Sequence, residues 1–187
     1  MKRTLWLAAA ALVFAHAAPA APAADTQTVY RQAVQAGQKG DYRRAFLLLK
    51  PLADRGDAVA QNNIAVLYRD GLGVKADNTQ ALKWYSKAAA QGIAEAQFEA
   101  GLMHARGQGT KQDFAQAAKW YTLAAKQGHP EAQNNLAVRY ASGTGVERNL
   151  FQAKYWFGQA AMRGHPTAAA SLRELQQLEK QQSSGKK

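Results

Sequence analysis

Cysteine is absent from all 187 residues. Its absence excludes a disulfide framework and a lipid-bearing cysteine behind an export signal, so stability must come from packing alone. Acidic side chains are scarce as well, 13 Asp and Glu against 24 Lys and Arg. Long apolar runs are missing beyond the first residues, where Leu5 to Ala15 form the one extended stretch. That stretch is too short to span a bilayer as a permanent anchor, which needs roughly 18 or more consecutive apolar residues. Also missing is any recurring nucleophile, base and orienting acid at a spacing suited to catalysis, so no enzyme is expected.

What is present begins with MKRT, then LWLAAAALVFA, then HAAPAAPAAD. A basic start, an apolar core and small residues such as Ala21-Pro22-Ala23 have the three-part layout of a secretory signal over residues 1–24. The expected product starts near Ala24 or Asp25 and is periplasmic or secreted, with no lipid anchor and no membrane-spanning helix. Without Lys2 and Arg3, 22 basic side chains stand against 13 acidic ones, a balance of +9. Such a balance suits acidic partners, or anionic polysaccharide or lipid surfaces, and export argues against nucleic acid.

A single period organises the rest. Residues 57–92, 93–128 and 129–164 align without a gap, and ten positions are identical in all three rows. In the first row these are Ala60, Gln61, Gly71, Gly73, Gln80, Ala81, Trp84, Ala88, Ala89 and Gly92. A fixed period of this length marks stacked repeats. Each row predicts two helices, A and B. Ala60, Gln61, Ile64, Ala65 and Tyr68 share one side of helix A, and Ala81, Trp84, Tyr85, Ala88 and Ala89 share one side of helix B. Asp77, Asp113 and Asn149, each followed by Gln three residues on, predict the start of helix B by a variant capping box. Gly92, Gly128 and Gly164 predict its end. Residues 25–56 carry Asp41, Ala45, Ala53 and Gly56 in the same register and predict a degenerate opening repeat. A closing helix is expected over 165–182, since end repeats must hide an apolar face. Residues 183–187 are expected to form a disordered tail.

The pattern AxAQxxxAxxY, GxGV, Asp or Asn before QAxxWY, and AAxxG resembles the Sel1-like repeat family, a branch of the tetratricopeptide-like proteins. The resemblance implies an all-α, right-handed α-solenoid of 36-residue helix-turn-helix repeats. It also implies a non-enzymatic adaptor that binds another protein or a peptide on a concave face lined by the A helices. Some exported relatives have disulfide-linked repeats, and with no cysteine here their properties do not carry over.

At 100° per residue, Asn62, Asn63 and Val66 fall opposite the packed side of helix A, as do Phe98, Glu99, Leu102 and Arg106 in the middle row and Asn134, Asn135 and Val138 in the third. These ten residues are the candidate peptide-binding stripe, with amides pairing to an extended backbone and Phe98 as an apolar anchor. The structural alternative is that Asn62 and Asn134 bridge neighbouring A helices. Three departures mark the middle row: Gly101 for alanine, His104 for tyrosine and Thr110 for valine. His129 and His165 sit at inter-repeat turns and read as loop residues, so neither a metal nor a cofactor is expected. Lys83, Lys87, Lys119, Lys126, Lys154 and Arg163 on the B helices, with Arg43 and Arg44, form the rival candidate, a basic convex face for anionic envelope polymer or lipid.

Overall fold

A computed structural model describes residues 24–184. The export signal expected over residues 1–24 lies outside the described residues except for Ala24, as do residues 185–187. Nine α-helices and no strand occur among the described residues: α1 Ala24–Gln38, α2 Tyr42–Asp54, α3 Ala58–Asp70, α4 Asn78–Ala90, α5 Ala94–Arg106, α6 Phe114–Lys126, α7 Pro130–Ser142, α8 Leu150–Met162 and α9 Ala168–Ser184. They gather into two compact units, one of residues up to 96 with 108–110, the other of residues 97–107 with those from 111 onward. Within the units, helices adjacent in sequence pack on each other, as α2 does on α3, α3 on α4, α7 on α8 and α8 on α9.

Local chemistry sets the helix boundaries. Asp77, Asp113 and Asn149 accept hydrogen bonds from Gln80 N, Gln116 N and Gln152 N at 3.0, 2.8 and 3.0 Å, satisfying first-turn donors of each B helix. The same three cap residues donate their own N–H to Tyr68, His104 and Tyr140 carbonyls at 2.9 Å, which ties each B helix to the last turn of its A helix. The loops between depend on glycine for more than positive φ. A Cβ on Gly73 would fall on the backbone of Tyr42 and Arg43, and one on Gly145 on the backbone of Phe114. The second glycine of each loop thus lets the chain lie against the start of the preceding B helix.

The core is built from small and aromatic side chains in alternation. In the first unit Leu49, Ile64, Leu67 and Tyr85 are buried among alanines at 45, 53, 60, 65, 81, 88 and 89. In the second, Ala117, Tyr121, Ala124, Ala125, Ala132 and Leu136 pack with half-buried Phe98, Tyr140 and Trp156. The alanines permit close helix approach and the aromatics fill the remaining space. At the end of the second unit, Leu172 and Leu175 of α9 pack on Phe157, Ala160 and Ala168, and Lys154 pairs with Glu179 at 2.8 Å. This closing helix begins at Ala168, later than expected, because His165 Nδ1 accepts from Thr167 N in the preceding turn. It runs on through Ser183 and Ser184, which the sequence assigned to the tail.

Candidate functional site

The alanine-glutamine pair shared by every row has a structural task. Gln61 and Gln133 are buried and donate from Nε2 to Ala53 O and Ala125 O, both at 3.1 Å. These are carbonyls in the last turn of the preceding B helix, where intrahelical partners run out. A second glutamine completes the motif: Gln91 Nε2 donates to Gln61 Oε1 at 2.8 Å and to Gly56 O at 3.0 Å. Gln127 Nε2 donates to Gln97 Oε1 at 2.8 Å. In the third row the corresponding residue is Arg163, and Gln133 Oε1 is buried with no hydrogen-bond partner.

The asparagines behave differently from the sequence expectation. Asn62 and Asn63 are only 2% and 4% exposed, so the open, groove-lining position expected of them is corrected. Val66 beside them packs on Ala36 of α1 and Ala45 of α2. An A helix in a stack has neighbours on more than one side, and the opening repeat covers what a lone helix pair would leave open. The oxygens Asn62 Oδ1 and Asn134 Oδ1 are both buried without a hydrogen-bond partner, so neither oxygen accepts a bond of the inter-helix kind offered as the structural alternative. The third row is more open: Asn134 and Asn135 are half-buried and Val138 is 38% exposed.

In the second unit the stripe gathers round the Tyr121 hydroxyl. Burial, first of all, raises the pKa of this phenol, while Arg139, a hydrogen bond with Asn135 and Arg106 oppose the rise and Glu99 adds to it. Phe98 stacks on the His129 ring at 4.6 Å and lies 6.1 Å from the Tyr121 ring. His129 caps α7, accepting from Ala132 N at 3.3 Å, so this histidine has a structural task. Leu102 is half-buried and Arg106 exposed. Phe98 of α5 and Asn135 of α7 are therefore brought to Tyr121, with Glu99 and Arg106 near enough to act on its hydroxyl, whereas Asn62, Asn63 and Val66 are built into the first unit.

Arg139 was missed from sequence, although the signal was there. It stands in register with Leu67 and Met103, both fully buried. An arginine at a core position must find compensation. Its guanidinium lies 4.8 Å from the Phe114 ring centre, and its Nε is buried with no hydrogen-bond partner. Elsewhere on the B helices, Arg43, Arg44, Lys83, Lys87, Lys119, Lys126 and Arg163 are exposed, while Lys154 is engaged by Glu179. No group of three or more His, Asp or Glu side chains able to hold a metal occurs among the described residues, and none of the described helices is long and apolar enough to cross a membrane.

Successive helix-turn-helix pairs with glutamine-capped joints define an all-α repeat protein of the tetratricopeptide-like class. The Sel1 repeat matches residues 30–57, 58–93, 94–129 and 130–165, and the chain belongs to the Sel1 repeat family. The opening segment thus counts as a fourth repeat. A Sel1 repeat protein from Oxalobacter formigenes is 34% identical with a TM-score of 0.72, over 76% of this chain and 58% of that one. A protective antigen present in uropathogenic Escherichia coli strains is 31% identical with a TM-score of 0.76, over 80% of this chain and 33% of that one. This chain therefore spans less than two thirds of either. Helicobacter pylori cysteine rich protein B shares the fold at 18% identity and a TM-score of 0.50, covering 82% of this chain and 98% of that one. No curated protein matches the chain.

Proposed function

We propose that this protein is an exported, non-enzymatic adaptor that binds a protein or peptide along the A-helix stripe of its second unit. One observation carries the reading: half-buried Phe98 of α5 stacks on His129 at 4.6 Å and lies 6.1 Å from Tyr121, while Arg106 at the end of α5 and Val138 of α7 are exposed. Charged groups of both signs, an amide and the exposed Val138 offer a peptide both backbone and carboxylate partners beside an apolar contact. The signal read in residues 1–24 supports export, and likeness to a protective antigen supports a role in the cell envelope or in host interaction.

The test is capture of partners from envelope extract by the tagged chain at low and high salt. Salt-resistant capture is expected, and it is expected to disappear in Arg106→Glu and Val138→Asp variants that keep their helical circular dichroism. Capture that survives both substitutions overturns the reading. The rival reading, a polyanion- or lipid-binding protein, rests on the exposed B-helix lysines and expects binding to anionic vesicles or polysaccharide that vanishes as salt rises.

A further inference from the structure

A cleft of about 880 Å³ opens in the first unit between α2 and α4, bounded by the loop at Val74 and Lys75. Its walls hold four lysines, Lys50, Lys75, Lys83 and Lys87, and two aspartates. Both aspartates are already engaged. Asp54 receives Lys50 Nζ on its two oxygens at 2.6 and 2.7 Å, and Asp77 caps α4. Neither Lys75 nor Lys83 is seen in an ion pair among the described residues, and both are exposed. The cleft therefore carries an excess of positive charge.

Apolar surface lies between the charges. Half-buried Phe46 and Tyr68 meet edge to face at 5.5 Å, and Val74 is half-buried beside them. Trp84, 5% exposed, has Lys87 Nζ at 4.3 Å and Lys50 Nζ at 5.3 Å from its ring centre. Its indole Nε1 is buried without a hydrogen-bond partner.

Part of the cleft recurs in the next row, where Lys111, Lys119 and Trp120 stand in register with Lys75, Lys83 and Trp84, but three of its side chains do not. In the 36-residue register, Leu82 and Ser86 stand where Phe46 and Lys50 do, and Leu123 stands where Lys87 does. Fold maintenance requires none of the three, since the other rows manage without them.

We infer that this cleft is a binding site for an acidic peptide segment in which an apolar side chain is flanked by carboxylates. The apolar side chain fits against Phe46, Tyr68 and Val74 while the carboxylates meet Lys75, Lys83 and Lys87. A glycan is disfavoured because sugar recognition needs an open aromatic face, and the lysines already occupy Trp84. A membrane is disfavoured because a planar surface does not reach the floor of a concave cleft. The site lies wholly in the first unit, so its failure and that of the α5–α7 reading are separable.

The experiment uses the full chain and a fluorescein-labelled synthetic peptide with one phenylalanine between runs of glutamate, read by anisotropy. Binding is expected to weaken with salt and to weaken at least about tenfold in a Lys75→Glu, Lys83→Glu double variant. A Lys119→Glu, Lys126→Glu variant, altered outside the cleft, should bind as the unmodified chain does. The inference is overturned if the cleft variant binds unchanged, or if the second variant loses as much. It is equally overturned if a glutamine version of the peptide binds as tightly, or if anionic vesicles or polysaccharide displace the peptide and show the same dependence on Lys75 and Lys83.

Discussion

Replacing Arg163 by glutamine should stabilise the protein, although the residue is exposed and outside every core cluster. In the first row, Gln91 supplies the donor for Gln61 Oε1, and in the second Gln127 does so for Gln97 Oε1. Arg163 occupies that position in the third row and leaves Gln133 Oε1, on a residue 2% exposed, without a partner. A hydrogen bond to a buried orphan is worth roughly 0.5–1.5 kcal/mol net. Against this stands the Arg163 guanidinium, which lies over Gly128 and would be lost, a small term for an exposed side chain. A net gain of about 1 kcal/mol raises the melting temperature by roughly 2–4 °C in a chain of this size. Thermal unfolding followed by circular dichroism measures it. The gain should vanish when Gln133 is replaced by methionine, because no acceptor then remains. The reciprocal change, Gln91→Arg, should cost roughly 1–3 kcal/mol by orphaning Gln61 Oε1. A melting temperature that stays level or falls in Arg163→Gln, with Gln133 intact, refutes the glutamine relay as an energetic unit.

Three further outcomes follow from the same packing. Gly101→Ala should destabilise by about 1 kcal/mol despite the better helix propensity of alanine, because its Cβ would lie 2.8 Å from Tyr121 Cδ1 and Cε1; a gain in urea midpoint would contradict this. Tyr30→Phe removes the hydroxyl that donates to the Asp57 carboxylate, the cap of α3. That bond should be worth roughly 1.5–3 kcal/mol, read as a loss on chemical denaturation. Burial lowers the His104 pKa below 6.5 against the pull of Asp113, so the unfolded chain takes up the proton first. Stability should therefore be intact above about pH 6.5 and decline as pH falls through the lower folded value, and His104→Gln should flatten that decline in a pH series of melting curves.

Repetition itself made the helices legible from sequence. Capping residues, glycine stops and apolar periodicity are local signals, and three copies in register removed the ambiguity that a single copy carries. Alanine and glutamine of the AQ pair recur in every row and so read as shared scaffold, though the carbonyls that glutamine satisfies could not be named without the preceding helix in place. The candidate site was less legible, because a helical wheel divides one helix into two sides while a stacked helix has several neighbours. Asn62, which is buried, and Val66, which packs on Ala36 of α1 and Ala45 of α2, both depart from the wheel for that reason. Arg139 was visible as an arginine in register with Leu67 and Met103, but its importance emerged only beside Phe114 and Tyr121.

The sequence by itself determined the repeat, its helices and its loops, because the forces that set them act within a few residues or recur at one spacing. The tertiary structure alone decided which copies of a repeated position are buried. It also decided that Gln133 lacks its second partner, and that four lysines from two helices and a loop line one cleft. Those outcomes depend on residues one or more rows away, and no local pattern encodes the distance between their side chains.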